Sequence, residues 1–334
     1  MIKVAINGFG RIGRPTFKKL IENPEIEVAA INDLTDVKTL AHLLKYDSVY
    51  GIYDKEVSST EKGIKVNGKE YQVLAEKDPA KLPWKKLGID VVLECTGFFT
   101  NYEGAKKHLE AGAKKVIISA PPKSPEVPTY VFGGNEEKYN PEKDDIISMG
   151  SCTTNCVVPV AKVINDNFEI EKVLMTTIHS YTSTQKIVDG PHKDLRRGRA
   201  AAVNIVPTTT GAAISVIQVL PELEGKLNGI AIRVPSVDIS LIDFVAQIKK
   251  ETTAEEINKV FKEISQKELK GILAVEDKPL VSTDFIGNPY SAIVDSQFTM
   301  VEGKNLVKIL AWYDNEWGYA CRLAEMAQFI GKKL

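Results

Sequence analysis

Ile2-Lys3-Val4-Ala5-Ile6-Asn7-Gly8-Phe9-Gly10-Arg11-Ile12-Gly13 decides the fold of the first half of this chain. Its first six residues are mostly apolar and rich in β-branched side chains, which predicts a buried strand. The G-x-G-x-x-G pattern follows without a gap, and Arg14 to Glu22 shows helical spacing of apolar residues, so strand, glycine turn and helix succeed one another. Glycines alone would make only a tight turn. Here a second strand, Val28-Ala29-Ala30-Ile31, runs into Asn32-Asp33, placing Asp33 where an acidic side chain meets the ribose of a bound dinucleotide. A carboxylate there accepts from the 2′-OH and repels a 2′-phosphate. The expected ligand is therefore NAD ahead of NADP, held by Gly8, Gly10 and Asp33.

Outward from this turn, β-type runs recur at Val91 to Gly97 and Lys115 to Ser119, separated by the helix-like segment Asn101 to Ala111. Such alternation predicts parallel strands with crossover helices. Thr96 and Ser119 then fall at the carboxyl edge of the sheet, either as ligand contacts or as ordinary loop residues. Asp54 to Tyr71 reads as an inserted hairpin turning at Asn67-Gly68.

The second half opens on Ser151-Cys152-Thr153-Thr154-Asn155-Cys156, between a strand-like run and a helix-like one beginning at Val157. A thiol at a helix N-terminus is a candidate nucleophile, and its pKa is expected to be lowered there. Ser151 and Thr153 make a plausible anion cradle with the free amides of the first turn. Of the four histidines, His179 ends the strand-like run Lys172 to Ile178 and is the best partner for the thiolate, a structural role being the alternative. His42 reads as packed among leucines, and His108 as part of a charged helix face. Arg196-Arg197-Gly198-Arg199 is a solvated face, an oligomer contact or a phosphate clamp. Thr208-Thr209-Thr210-Gly211 precedes an apolar helical pattern and again suits an anion. Arg233, alone in a strand-like run, must meet a carboxylate or a phosphate. Strand patterns around Phe244 to Ile248, Gln297 to Met300 and Leu306 to Trp312 indicate an antiparallel or mixed sheet, and a final helix could return to the first domain.

With 334 residues, 43% of them hydrophobic, the chain suits two domains. Its formal net charge of -1 disfavours nucleic acid as a partner. Cys95, Cys152, Cys156 and Cys321 lie in a chain without a signal-peptide pattern, so free thiols and a cytoplasmic setting are expected. No apolar stretch is long enough for a membrane-spanning helix.

Asn7 to Arg14, Ser151 to Cys156, Pro207 to Gly211 and Trp312 to Tyr319 together resemble the phosphorylating glyceraldehyde-3-phosphate dehydrogenase family, in order and over essentially the whole chain. The resemblance implies an α/β protein: a doubly wound, mostly parallel Rossmann domain over 1–150, joined to an α+β catalytic domain with a mixed sheet over 151–316. Helix 317–334 would pack back onto the first domain, and the assembly would be a homotetramer. It makes Cys152 the nucleophile and His179 its base. Gly8, Gly10, Arg11, Ile12, Asp33, Thr96 and Ser119 would line the NAD site, with Asn315 on the nicotinamide carboxamide. Thr182 and Arg233 would hold the phosphate of glyceraldehyde 3-phosphate. Ser151, Thr153, Thr210 and Gly211, with Arg197 nearby, would hold inorganic phosphate; no metal is implied. Gly150, Val157 and Pro15 depart from the family pattern without removing a chemical group. Gly190, where strictly NAD-dependent members usually carry leucine, removes bulk near the expected adenosine ribose, so some use of NADP is expected. The rivals are erythrose-4-phosphate dehydrogenase, against which Thr209-Thr210-Gly211 argues, aspartate-semialdehyde dehydrogenase, which the Trp312 to Tyr319 motif does not fit, and a non-catalytic thiol-redox or nucleic-acid-binding role.

Overall fold

The computed structural model describes residues 1–334, which divide into two compact units. The first comprises 1–130, 137–150 and 320–334; the second comprises 131–136 and 151–319. The chain therefore crosses between units at a short excursion, 131–136, that no composition change in the sequence marks.

In the first unit the strand Ile2–Asn7 lies in the middle of an eight-stranded sheet. On one side it pairs in parallel with Ile26–Asn32, which pairs with Lys69–Leu74; on the other come Val91–Glu94, Lys115–Ile118 and Ile146–Ser148, all parallel. Strand order reverses at Ile2–Asn7, and this is where doubly wound sheets open a ligand crevice. Strands Gly63–Val66 and Val57–Ser59 extend the edge as antiparallel partners. Asn67 and Gly68 both take positive φ at the hairpin turn, the backbone that a two-residue connection requires. Ala5, Trp84, Val92, Val116 and Ile118 form a core on this sheet.

The second unit is built on a mixed sheet. Ile170–Ser180 runs parallel to Leu227–Val234 and antiparallel to Ser240–Ile248, which pairs with Leu306–Tyr313. Strict alternation of burial along Ser240–Ile248 shows that one face is covered. The helix Cys152–Phe168 supplies that cover with Cys156, Val157, Val160 and Ile164, packed in one core with Ile242, Phe244, Ala246 and Ile309. Pro159 sits in the interior of this helix. Around Gln297 the expected strand is instead a 3₁₀ turn, Ser296–Phe298, followed by the short strand Met300–Glu302. No helix is long and apolar enough to cross a membrane.

Candidate active site

In the first unit, Gly8 (φ +95°) turns the chain so tightly that a Cβ would stand 2.7 Å from the Thr96 nitrogen. At Gly13 a Cβ would meet the Gly8 carbonyl oxygen at 2.1 Å. Gly10 is different, because a Cβ there would touch nothing within 4 Å. Gly8 and Gly13 are therefore needed for packing, whereas Gly10 leaves open space at the turn. Ile12 stands at the N-cap of helix Gly13–Leu20 with no side-chain cap; the Arg14 N–H donates to the Gly10 carbonyl at 3.1 Å and Pro15 has no N–H, so within the first turn the Gly13 amide is the one left for an anion. Asp33 accepts from the Phe9 N–H at 2.7 Å and the Thr35 N–H at 2.9 Å, tying the glycine turn to the end of the second strand. Arg11 pairs with Asp47 at 2.6 Å.

Gly8, Gly10, Asp33, Thr96, Phe98 and Phe99 line a cleft of about 850 Å³, large enough for a dinucleotide. Beneath it lies a buried polar network that the sequence reading missed. The Glu94 carboxylate accepts from Asn7 Nδ2 at 2.6 Å and from the Thr96 N–H at 2.8 Å. Trp84 Nε1–H donates to His108 Nδ1 at 3.0 Å, which leaves the proton on His108 Nε2, 3.1 Å from Glu94. His108 is thus fully buried rather than on an exposed charged face, and His42 is exposed against Tyr46 rather than packed. Cys95 also lines the cleft, its thiol pushed up to about 12 by burial; the Ser119 hydroxyl bonds it and opposes that shift.

In the second unit, the helix begins at Cys152 itself, five residues earlier than the apolar pattern at Val157 implies. The reason is a capping box. Ser151 Oγ accepts from the Thr154 N–H at 3.1 Å, and the Ser151 N–H returns the bond to Thr154 Oγ1 at 3.1 Å. Cys152 Sγ faces His179 Nε2 at 3.4 Å. His179 and Arg233 are opposite one another in the parallel ladder of their two strands, so their side chains project to the same face. Arg233 Nη1 lies 2.7 Å from His179 Nδ1 and donates to the Ser180 carbonyl at 2.9 Å; the same carbonyl is 2.8 Å from Nδ1. Arg233 Nε is buried without a partner.

The expected lowering of the Cys152 pKa is reversed in this geometry. Burial pushes the thiol up to about 11, although the Arg233 charge and the Thr153 N–H and hydroxyl pull the other way. Burial, then Arg233, push His179 down to about 3. Both shifts favour the uncharged forms, because the core that brings the two side chains together withdraws water that would stabilise their charges.

Thr153 is turned inward. Its hydroxyl lies 2.9 Å from Tyr313 Oη, which bridges to Thr177 Oγ1 at 2.8 Å, while the Tyr313 ring stands edge-on to His179. Asn315 is buried, its Oδ1 accepting from Ser180 Oγ at 2.9 Å and Ser240 Oγ at 2.7 Å. That fixes the amide plane and leaves Nδ2 as a donor. Tyr313, Ser180 and Ser240 escaped the sequence reading; the only available signal was the place of Tyr313 within the Trp312 to Tyr319 motif. Arg197 donates through Nε to Thr208 Oγ1 at 2.9 Å and through Nη2 to the Thr209 carbonyl at 3.0 Å. This draws it to the threonine run, whereas Arg199 pairs with Asp189 at 2.8 Å. Gly211 is the N-cap of helix Ala212–Val219 and provides no side-chain cap; Thr210 Oγ1 accepts from the Ala212 N–H at 3.1 Å. The Thr182 hydroxyl meets only Thr184, at 3.0 Å.

Comparison with known proteins bears on both units. Residues 2–102 match the family model for the NAD binding domain of glyceraldehyde 3-phosphate dehydrogenase, and residues 151–315 match the model for its C-terminal domain. The chain is 56% identical over 332 residues to glyceraldehyde-3-phosphate dehydrogenase 1 of Bacillus subtilis (strain 168), covering 99% of each chain. It is 55% identical over 332 residues to glyceraldehyde-3-phosphate dehydrogenase of Geobacillus stearothermophilus, again covering 99% of each. With the enzyme of that name from Streptomyces coelicolor it shares 53% identity over 335 residues, covering 100% of this chain and 99% of the relative.

Proposed function

This chain belongs to the glyceraldehyde 3-phosphate dehydrogenase family, and from that premise we propose that it oxidises glyceraldehyde 3-phosphate to 1,3-bisphosphoglycerate with NAD and inorganic phosphate, a step of glycolysis and gluconeogenesis. The observation that carries the reading is the thiol of Cys152 at 3.4 Å from a strand-held imidazole, with Arg233 on the same face.

The sulfur adds to the aldehyde carbon as its proton passes to His179 Nε2 and from there to the aldehyde oxygen, giving a hemithioacetal and a neutral His179. Gly8, Gly10, Arg11, Ile12, Asp33, Thr96 and Ser119, with Asn315 toward the carboxamide, would hold NAD, which when bound would supply the hydride acceptor. His179 removes the hydroxyl proton as the carbonyl re-forms, leaving a thioester on Cys152. An oxygen of inorganic phosphate then attacks the thioester carbon, the C–S bond breaks, and the sulfur departs as thiolate. His179 Nε2–H and the backbone donors at the helix start stabilise the oxyanion between these events. Thr182 and Arg233 hold the phosphate of the substrate. Ser151, Thr153, Thr210 and Gly211, with Arg197, hold the attacking phosphate.

NAD reduction with glyceraldehyde 3-phosphate, run with and without inorganic phosphate, tests the reading. Turnover that needs phosphate supports it; equal turnover without phosphate points to hydrolysis, the erythrose-4-phosphate dehydrogenase outcome, and no turnover sinks it.

The molecule acts as a cytoplasmic homotetramer. Support comes from Leu174 and Ile230, which stand 71% and 50% exposed on neighbouring strands of the mixed sheet, an apolar surface that suits a second copy. Light scattering checks the mass. Gly190 admits NADP at reduced efficiency despite Asp33; a preference for NAD beyond about 10³-fold in kcat/KM would remove that part.

A further inference from the structure

At the switch point of the first sheet, three strand ends meet in one buried cluster of side chains, Asn7, Asn32 and Glu94. Every hydrogen bond in it has a definite direction. Asn32 Oδ1 accepts from the Glu76 N–H at 2.9 Å, and its Nδ2 donates to the Glu76 carbonyl at 2.9 Å and to Asn7 Oδ1 at 2.7 Å. Asn7 Nδ2 in turn donates to Glu94 Oε2 at 2.6 Å. From the other side, Trp84 Nε1–H, a donor only, occupies the His108 Nδ1 lone pair at 3.0 Å, and the proton on His108 Nε2 reaches the same Glu94 oxygen at 3.1 Å. The 3.4 Å approach of Asn7 Nδ2 to His108 Nε2 is that of two donors sharing one carboxylate oxygen. Glu94 Oε1 takes the Thr96 N–H at 2.8 Å and the Thr96 hydroxyl, and no lysine or arginine pairs with it. A carboxylate buried among neutral donors is a costly way to tie strands together.

We propose that Glu94 is a positioning residue for the cofactor, itself aimed by His108 and Asn7: it clamps the Cys95–Thr96 peptide and so fixes the seat of the half of the dinucleotide that lies beyond the glycine turn. The turn rests on the same peptide, since a Cβ on Gly8 would stand 2.8 Å from the Cys95 carbonyl carbon and 2.7 Å from the Thr96 nitrogen. Sheet order gives the side. Asp33 follows Ile26–Asn32 on one flank of Ile2–Asn7, and Thr96 follows Val91–Glu94 on the other. A dinucleotide with its adenosine ribose at Asp33 and its pyrophosphate at the glycine turn brings its remaining nucleoside to Thr96. The Thr96 hydroxyl gives its hydrogen to Glu94 and accepts from the Phe98 N–H at 3.1 Å. That hydrogen is committed to the clamp and is not available to the cofactor.

The clamp rests on the dinucleotide reading of the cleft and deepens it, by separating residues that touch NAD from one that acts through Thr96. Glu94 and His108 do not line the cleft, so a change at either reaches the cofactor only through the residues that do. Glu94→Gln keeps the shape of the side chain and reverses one set of hydrogen bonds. Whichever way the new amide turns, its NH2 faces either Asn7 and His108 or the Thr96 N–H, donor against donor.

The experiment is calorimetric titration of the full-length protein with NAD and, separately, with ADP, which carries the adenosine ribose and both phosphates and lacks the nicotinamide nucleoside. Glu94→Gln should raise the Kd for NAD about tenfold and that for ADP by less than about twofold. In steady-state assays the KM for NAD should rise in step while kcat at saturating NAD stays within about twofold. His108→Leu, which removes a donor that aims the carboxylate, should give the same pattern at about threefold, and His108→Gln, which restores a donor and an acceptor, should recover most of that loss. These two variants decide the matter if Glu94→Gln does not fold. Equal losses for NAD and ADP would make the cluster a support of the whole cleft, and an unchanged Kd for NAD would make it a support of the sheet alone; either result overturns the proposal. A wild-type protein that binds neither ligand sinks the dinucleotide reading and the clamp with it, whereas one that binds both and is indifferent to Glu94 loses the clamp alone.

Discussion

The helix starts of this chain are of two kinds. Asp36, Asn101, Ser151 and Thr253 each cap a helix by accepting a backbone N–H with a side-chain oxygen. The N-cap residues of the eight-residue helices Gly13–Leu20 and Ala212–Val219 supply no such cap, nor does that of the single turn Trp84–Leu87; at Ala212–Val219 the preceding Thr210 takes the Ala212 N–H instead. A missing cap costs about 1 kcal/mol, so the two eight-residue helices that lack one ask for a reason. Both lie where the proposed function needs an anion: the dinucleotide's phosphates at the first, inorganic phosphate at the second. Ends that anchor structure satisfy an amide with the N-cap side chain, and ends that serve a ligand leave that side chain out of the way. The Cys152 helix combines the two, since Ser151 takes the Thr154 N–H while Thr153 gives its N–H to the sulfur.

The largest effect expected is on this mixed end. Cys152→Ser should lower kcat/KM by at least about 10⁴-fold, roughly 5 kcal/mol of transition-state stabilisation. NAD affinity measured by fluorescence titration should be unchanged, because the glycine turn, Asp33 and Thr96 belong wholly to the first unit. A variant that keeps its activity would remove the nucleophile and with it the contrast between the two units.

His179→Asn comes next, with a loss of about 10²–10⁴-fold in kcat. It also changes acid stability with a definite sign. His179 is pushed down to about 3 in the fold from an ordinary 6.5, so the unfolded chain binds the proton first, and stability is lost as pH falls from 6.5 towards 3. The asparagine variant lacks this term. Its urea midpoint should fall less than that of the wild type between those pH values; parallel curves would show that His179 is not buried neutral.

The glycine fingerprint, the reach to Asp33 and the parallel order of the first sheet were legible because each is a local pattern or a short succession of them. Cys152 and His179 were legible as residue types at element ends. What the sequence could not show are relations created by packing between distant strands. His108 has charged neighbours along its helix, yet its partners Trp84 and Glu94 lie on other elements and bury it completely. Tyr313 reaches Thr153 and Thr177 from the last strand of the sheet. The Cys152 pKa was misread for the same reason, since a helix end favours the thiolate while burial, which no local pattern reports, opposes it.

Glycine substitutions sharpen the comparison inside the first turn. Gly13→Ala should lower stability by about 1–3 kcal/mol, because its Cβ runs into the Gly8 carbonyl, which has little room to move. Gly10→Ala meets no protein atom, so the melting temperature should hold while the Kd for NAD rises about tenfold, or about 1.4 kcal/mol. If both variants lose stability equally, Gly10 serves the fold and not the ligand.

The smallest effect tests the second uncapped end and carries opposite signs in its two readouts. Gly211 has φ −80° and ψ −1°, a conformation open to alanine, and an added Cβ would find nothing within 4 Å. Gly211→Ala should therefore stabilise the protein by about 0.4–1 kcal/mol by restricting the unfolded chain. The same methyl stands beside amides that the proposed function assigns to inorganic phosphate, so the KM for phosphate should rise several-fold with the KM for glyceraldehyde 3-phosphate unchanged. A gain in stability with no change in either KM would mean that this helix end is uncapped for some reason other than an anion, and the division of helix starts into anchors and ligand ends would then rest on the glycine turn alone.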